Sequence, residues 1–175
     1  MIYNKEQIDL YLKKMENNDE IKIDYETLCK LQIAHLTHIP YENIDVLNRK
    51  PISLESQDLF DKMIVKARGG YCFELNGLYS NLLKSLGFNV TNLAGRFIYQ
   101  DGNTRMRLHR ILKIDIDDKS YISDVGVLSE LSRKSLELEV GKVQNDGKCD
   151  YKFEYNPKQE GEYILYQRKS IYLFP

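Results

Sequence analysis

The apolar residues of this chain change their period once, at Gly87, and that change limits the fold more than any other feature. Before it, apolar side chains recur every three or four residues, as in Leu75, Leu78, Tyr79, Leu82 and Leu86, the spacing of a helix with one buried face. After it, short runs of β-branched and aromatic residues are separated by turn dipeptides such as Asp101-Gly102 and Asp146-Gly147, the pattern of antiparallel strands. No repeat, low-complexity tract or linker divides the halves. The expectation is an α+β fold in which an N-terminal helical bundle, residues 1–87, packs on an antiparallel β-barrel-like sheet, residues 88–175. A cleft between two such lobes would suit a small-molecule site.

Within the first half, Asn4 opens a helix over residues 5–16, with Tyr3 and Ile8 at staple spacing. Asp24 caps a second, carrying Leu28, Leu31 and His35 on one face, and Pro40 ends it by excluding its predecessor from helical geometry. The segment Ile39-Pro40-Tyr41-Glu42-Asn43-Ile44-Asp45 reads as an ordered loop of the kind that lines a site. Ser56 then caps a helix bearing Leu59, Phe60, Met63 and Ile64. In the second half, strands are expected near 89–99, 106–116, 120–125, 136–143, 149–155 and 162–168. Leu136, Leu138 and Val140 give the clearest alternation.

A formal net charge of −1 supplies no cationic field for a polyanion, so nucleic acid is not expected as a partner. No apolar run approaches the ~18–20 residues of a membrane span, and the charged N-terminus is unlike a signal peptide, which predicts a cytoplasmic protein. Cys29, Cys72 and Cys149 lack paired spacing and predict free thiols, with neither a disulfide framework nor a metal site. The C-terminal run from Tyr163 to Phe174 is rich in aromatic residues and stops at Pro175. Apolar surface there would need cover, by barrel closure, by a following segment since lost, or by a second copy of the chain in a homo-oligomer.

Cys72 follows Gly69-Gly70-Tyr71 and opens the helical pattern that Gly87 closes. A thiol in the first turn of a helix lies among unpaired N–H groups at the positive end of the macrodipole, which favours the thiolate. The Cys72 N–H is also placed to stabilise an oxyanion. A nucleophile needs a base, and the base an orienting acceptor. His109 lies mid-strand in Leu108-His109-Arg110-Ile111-Leu112. If Asp117-Asp118 is a two-residue hairpin loop, paired positions sum to 235, and Asp124 falls on the face of His109 two residues from its partner. A slip of one residue would put the two on opposite faces.

Arg68-Gly69-Gly70-Tyr71-Cys72-Phe73-Glu74, then Leu108-His109-Arg110, then Asp124-Val125-Gly126, closely resembles the signature set of the arylamine N-acetyltransferases. The Ile39–Asp45 segment is similar to a loop of that family in which phenylalanine usually stands at the Tyr41 position. The resemblance implies a cysteine-proteinase-like core with a catalytic triad in which Cys72 is the acyl-accepting nucleophile, His109 the base and Asp124 its orienter. It implies ping-pong transfer from acetyl-coenzyme A, a substrate rather than a bound cofactor, to an arylamine, arylhydrazine or N-hydroxyarylamine. Tyr41, Tyr71 and Val127 fall at positions that border the acceptor, and Gly126 near coenzyme A.

The family usually follows Asp-Val-Gly with an aromatic residue and a glycine, where this chain has Val127 and Leu128. It also generally carries a third, C-terminal lobe, which a chain ending at Pro175 is expected to lack. Two other readings use the same residues: an amide synthase or thiol hydrolase built on the same triad, and a truncated, non-catalytic binding module.

Overall fold

The computed structural model describes residues 3–98, 106–127 and 132–169. Helix α1 spans Lys5–Lys14, and its first turn is closed by a reciprocal pair in which Asn4 Oδ1 accepts the Gln7 N–H and Gln7 Oε1 accepts the Asn4 N–H. Helix α2 spans Tyr25–His38, with the Asp24 carboxylate on the Thr27 N–H at its start and Ile39, extended before Pro40, at its end. The expected loop after Pro40 contains one helical turn, α3, Ile44–Leu47. Helix α4 spans Ser56–Phe60 and is capped at Glu55, one residue earlier than expected. It runs into a π-helical turn over Asp61–Val65, whose i→i+5 bonds leave no mark in apolar periodicity. Helix α5, Cys72–Leu86, has the predicted bounds.

Among the described residues, seven antiparallel strands follow: β1 Asn89–Gly95, β2 His109–Ile116, β3 Lys119–Ser123, β4 Leu136–Glu137, β5 Val143–Asn145, β6 Cys149–Tyr155 and β7 Tyr163–Lys169. They form a four-stranded sheet in the order β1-β2-β3-β4 and a three-stranded sheet in the order β5-β6-β7. The β2–β3 register runs from Leu112 opposite Ser123 to Ile116 opposite Lys119, so paired positions sum to 235 as the two-residue loop requires. The long strand expected over 136–143 is not there. The Glu139 N–H turns back onto the Glu137 carbonyl, Gly141 adopts φ +83°, and Val140 is left with an isolated bridge to Phe153. Alternation at Leu136, Leu138 and Val140 thus marks a bend between the two sheets.

One core joins both halves. Leu28, Leu31, Leu59, Met63, Leu75, Leu78, Tyr79 and Leu82 from the helices pack with Val90, Leu112, Ile114 and Tyr121 from the first sheet. A smaller core of Leu136, Cys149, Tyr151 and Phe153 underlies the second sheet. Cys29, Cys72 and Cys149 are free thiols. Among the described residues no helix is long and apolar enough to cross a membrane. The Asp101-Gly102 turn and the chain after Lys169, with the Ile171–Phe174 end of the apolar C-terminal run, lie outside the described residues, whereas the start of that run forms β7.

Candidate active site

Cys72 is the first residue of α5, where backbone N–H groups have no partner within the helix. Two features hold that end in place. Glu74 is buried, and its Oε2 accepts the Tyr71 N–H at 3.1 Å while Oε1 accepts Lys62 Nζ at 2.8 Å. The glycine pair is needed for close approach. A Cβ on Gly69 would lie 2.1 Å from the Pro40 carbonyl oxygen, and the Glu42 N–H donates to the Gly70 carbonyl at 2.9 Å. The Ile39–Asp45 segment therefore presses against the turn that leads into Cys72, carrying Tyr41 with it in a bridge to Gly70.

An ion cluster beneath this turn fastens the same loop. Arg68 donates to Glu42 at 2.6 Å and to Asp45 at 3.1 Å, and Lys62 reaches Asp45 at 3.0 Å. Hydrogen bonding from Lys62, with Arg68 beside it, pulls the Asp45 carboxyl down to about 2. The π turn brings Lys62 to this cluster, and it has no counterpart in the sequence reading.

His109 opens β2 and pairs with Gly95 of β1. Asp124 lies just past the end of β3, so it reaches the ring from beyond the ladder, and His109 Nε2 meets Asp124 Oδ2 at 2.5 Å. With Nε2 engaged, Nδ1 is the nitrogen left for sulfur. Burial alone would push the imidazole pKa down, but hydrogen bonds and charge from Asp124 and Cys72 outweigh it and raise the value to about 9. The sulfur also lies 3.7 Å from the Leu108 carbonyl oxygen. Cys72, His109 and Asp124 are all buried. The structure thus brings the three predicted residues together.

The other predicted positions surround them. Tyr41 and Tyr71 are half-buried, and the charge of Cys72 contributes to the raised pKa of each after burial itself. Gly126 packs on the nucleophile, since a Cβ there would come within 2.8 Å of Cys72 Cα. Val127 follows it, half-buried. Leu128 lies outside the described residues. Two residues near the centre escaped the sequence reading. Phe97, half exposed, packs its ring against that of His109, with centroids 5.4 Å apart and planes tilted by 44°. Asn76, fully buried one helical turn beyond Cys72, bonds to the Asp124 carboxylate. Its polarity inside the stripe of Leu75, Leu78 and Tyr79 was the available signal.

The model of the N-acetyltransferase family matches residues 24–172. This chain belongs to the arylamine N-acetyltransferase family. It is 38 % identical over 156 residues to the arylamine N-acetyltransferase / N-hydroxyarylamine O-acetyltransferase of Salmonella typhimurium, an alignment covering 85 % of this chain and 54 % of that protein. The solved arylamine N-acetyltransferase of Salmonella typhimurium superposes with a TM-score of 0.86 at 32 % identity over 95 % of this chain and 60 % of that one. That of Mycobacterium marinum in complex with CoA gives 0.81 at 28 % identity over 96 % and 66 %. The chain spans about half the length of the curated relatives it matches.

Proposed function

We propose that this chain moves an acetyl group from acetyl-coenzyme A, through a thioester on Cys72, to an arylamine, arylhydrazine or N-hydroxyarylamine. The observation that carries the reading is the imidazole of His109, held between Asp124 at 2.5 Å and the Cys72 sulfur with its pKa raised to about 9. At neutral pH such a ring stays protonated and pairs with a thiolate, the form in which sulfur attacks.

In the first half-reaction the Cys72 thiolate adds to the thioester carbonyl. The new S–C bond forms, the bond to the coenzyme A sulfur breaks, and the His109 proton passes to that departing sulfur. The Cys72 N–H, at the start of α5, is the donor nearest the developing oxyanion. In the second, the acceptor nitrogen or oxygen attacks the acetyl-enzyme, His109 takes its proton, and the Cys72 thiolate is released. Asp124 holds the ring orientation through Nε2 and stabilises its positive charge in both halves. Tyr41, Tyr71, Val127 and Phe97 supply apolar walls for an aromatic acceptor, and Gly126 lets the turn after Asp124 pack directly on Cys72 on the side where the resemblance puts coenzyme A. Membership of the family and the CoA complex of the Mycobacterium marinum structure support coenzyme A as the carrier.

The test is intact mass after mixing with acetyl-coenzyme A and no acceptor. The protein should gain one acetyl group, lose it on addition of an arylamine, and gain none as Cys72→Ala. Absence of the gain in the unaltered protein, or its persistence in Cys72→Ala, would overturn the reading.

A further inference from the structure

The carboxamide of Asn76 joins the three segments that carry Cys72, His109 and Asp124. Its Nδ2 donates to Asp124 Oδ1 at 2.8 Å and to the Arg110 carbonyl at 2.6 Å, and its Oδ1 accepts the Val125 N–H at 3.0 Å. Two donors and one acceptor are all engaged, and the side chain is fully buried. Arg110 adjoins His109 on β2, Val125 adjoins Asp124, and Cys72 lies four residues back along the same helix, on the same face. A Cβ on Gly126 would come 2.5 Å from Asn76 Nδ2, so the turn after Asp124 is packed onto the amide itself.

We infer that Asn76 is a positioning residue for the Cys72–His109 pair, holding helix α5, strand β2 and the Asp124 turn at one separation. The inference rests on the thiolate chemistry proposed above. The carboxylate of Asp124 has two oxygens and three partners. Oδ1 takes the Asn76 amide and the Gly126 N–H, both at 2.8 Å, which leaves Oδ2 aimed at His109 Nε2. Without the amide, the carboxylate keeps one backbone donor and gains freedom to rotate. The Arg110 carbonyl and Val125 N–H lose their side-chain partner at the same time, so the strand bearing His109 and the turn bearing Asp124 are released together. Aspartate at this position keeps the shape but sets a carboxylate oxygen against Asp124 Oδ1 at a distance where two carboxylates do not both ionise.

The test needs no acetyl donor. Iodoacetamide labelling of Cys72 is followed against pH by peptide mass in the unaltered chain, Asn76→Ala and Asn76→Asp, with Cys29 and Cys149 as internal references and thermal melting run alongside. Asn76→Ala should cut the labelling rate of Cys72 at pH 6 by roughly tenfold or more, with the reference thiols unchanged. Asn76→Asp should melt close to the unaltered protein at pH 5 and well below it at pH 8, because a shared proton is lost from the carboxylate pair as pH rises.

Labelling of Cys72 at the unaltered rate at pH 6 in folded Asn76→Ala, or at pH 8 in folded Asn76→Asp, would overturn the inference. If Asn76→Ala does not fold, Asn76→Asp decides, and its failure to fold at every pH would reduce Asn76 to a core residue and overturn the inference equally. Rapid labelling of the unaltered chain without acetylation by acetyl-coenzyme A would sink the transferase reading alone. Normal acetylation with unaffected Asn76 variants would sink this one alone.

Discussion

Two imidazoles are buried in this protein, one inside the helical core and one at the edge of the first sheet, and their surroundings drive them in opposite directions. His35 is wholly buried between the rings of Tyr11, 6.0 Å away, and Tyr79, 5.2 Å away. Neither of its ring nitrogens has a partner in another residue, and burial pushes its pKa down to about 3. His109 is nearly as buried, yet Asp124 and Cys72 lift it to about 9. Removal from water is common to both sites. What separates them is the carboxylate, which turns a desolvated neutral ring into a standing cation. Burial of a histidine therefore says little about its use until the partner is known.

The largest effects should come from cutting that partnership. His109→Gln removes the base and the counter-charge of the thiolate, and acetyl transfer should fall by at least ~10²–10⁴-fold, the usual worth of a positioned acid–base group. Asp124→Asn keeps the shape but gives up the negative charge, and should bring His109 closer to the behaviour of His35. Its expected signature is a fall in Cys72 labelling by iodoacetamide at pH 6 with a cooperative melting transition retained. An Asp124→Asn protein that labelled and turned over like the original would show that the sheet-edge site does not depend on its carboxylate, and the contrast with His35 would collapse.

His109 and Asp124 were legible because they hang on a hairpin. The Asp117-Asp118 loop and a period of two determine the pairing from Leu112 to Ile116, and the same sum predicted which face Asp124 would take. Helix α5 was legible from Cys72 to Gly87 for a similar local reason, an apolar stripe with a glycine stop. Asn76 was not, because its three partners lie 34, 48 and 49 residues away and a polar residue in an apolar stripe does not name them. Lys62 was hidden by the π turn, and β4 was overestimated because alternation at Leu136, Leu138 and Val140 does not register the backbone bend before Gly141. Contacts within a hairpin or a helix can be counted along the chain, whereas bends and long-range polar contacts cannot.

The two rings should also leave opposite marks on stability against pH. An unfolded histidine titrates near 6.5. His35 stays neutral in the fold down to about 3, so between these values the unfolded chain binds the extra proton and stability falls as pH falls. His109 keeps its proton up to about 9, so the stability it contributes is fully present below 6.5 and is lost as pH rises through 9. His35→Leu should stay within about 1.5 kcal/mol of the original at pH 7.5, where only ring contacts and packing are exchanged. At pH 4 it should be the more stable of the two, by an amount on the order of a few kcal/mol. Denaturant midpoints at the two pH values measure this, and an unchanged acid limb in His35→Leu would mean that some other group carries it.

His38 completes the set and should matter least. It sits at the end of α2 with its Nδ1 2.8 Å from the Ala34 carbonyl and its Nε2 3.5 Å from a largely exposed Glu16 carboxylate. Water reaches this ring, so it is neither stripped of hydration like His35 nor held by a buried counter-ion like His109. His38→Gln can retain a donor for the helix end, and an exposed ion pair of this kind contributes only about 0–1 kcal/mol. The expected change is under about 0.5 kcal/mol in denaturant unfolding, with the Cys72 labelling profile unaltered. A larger change would move part of the effect assigned to the buried rings onto the surface.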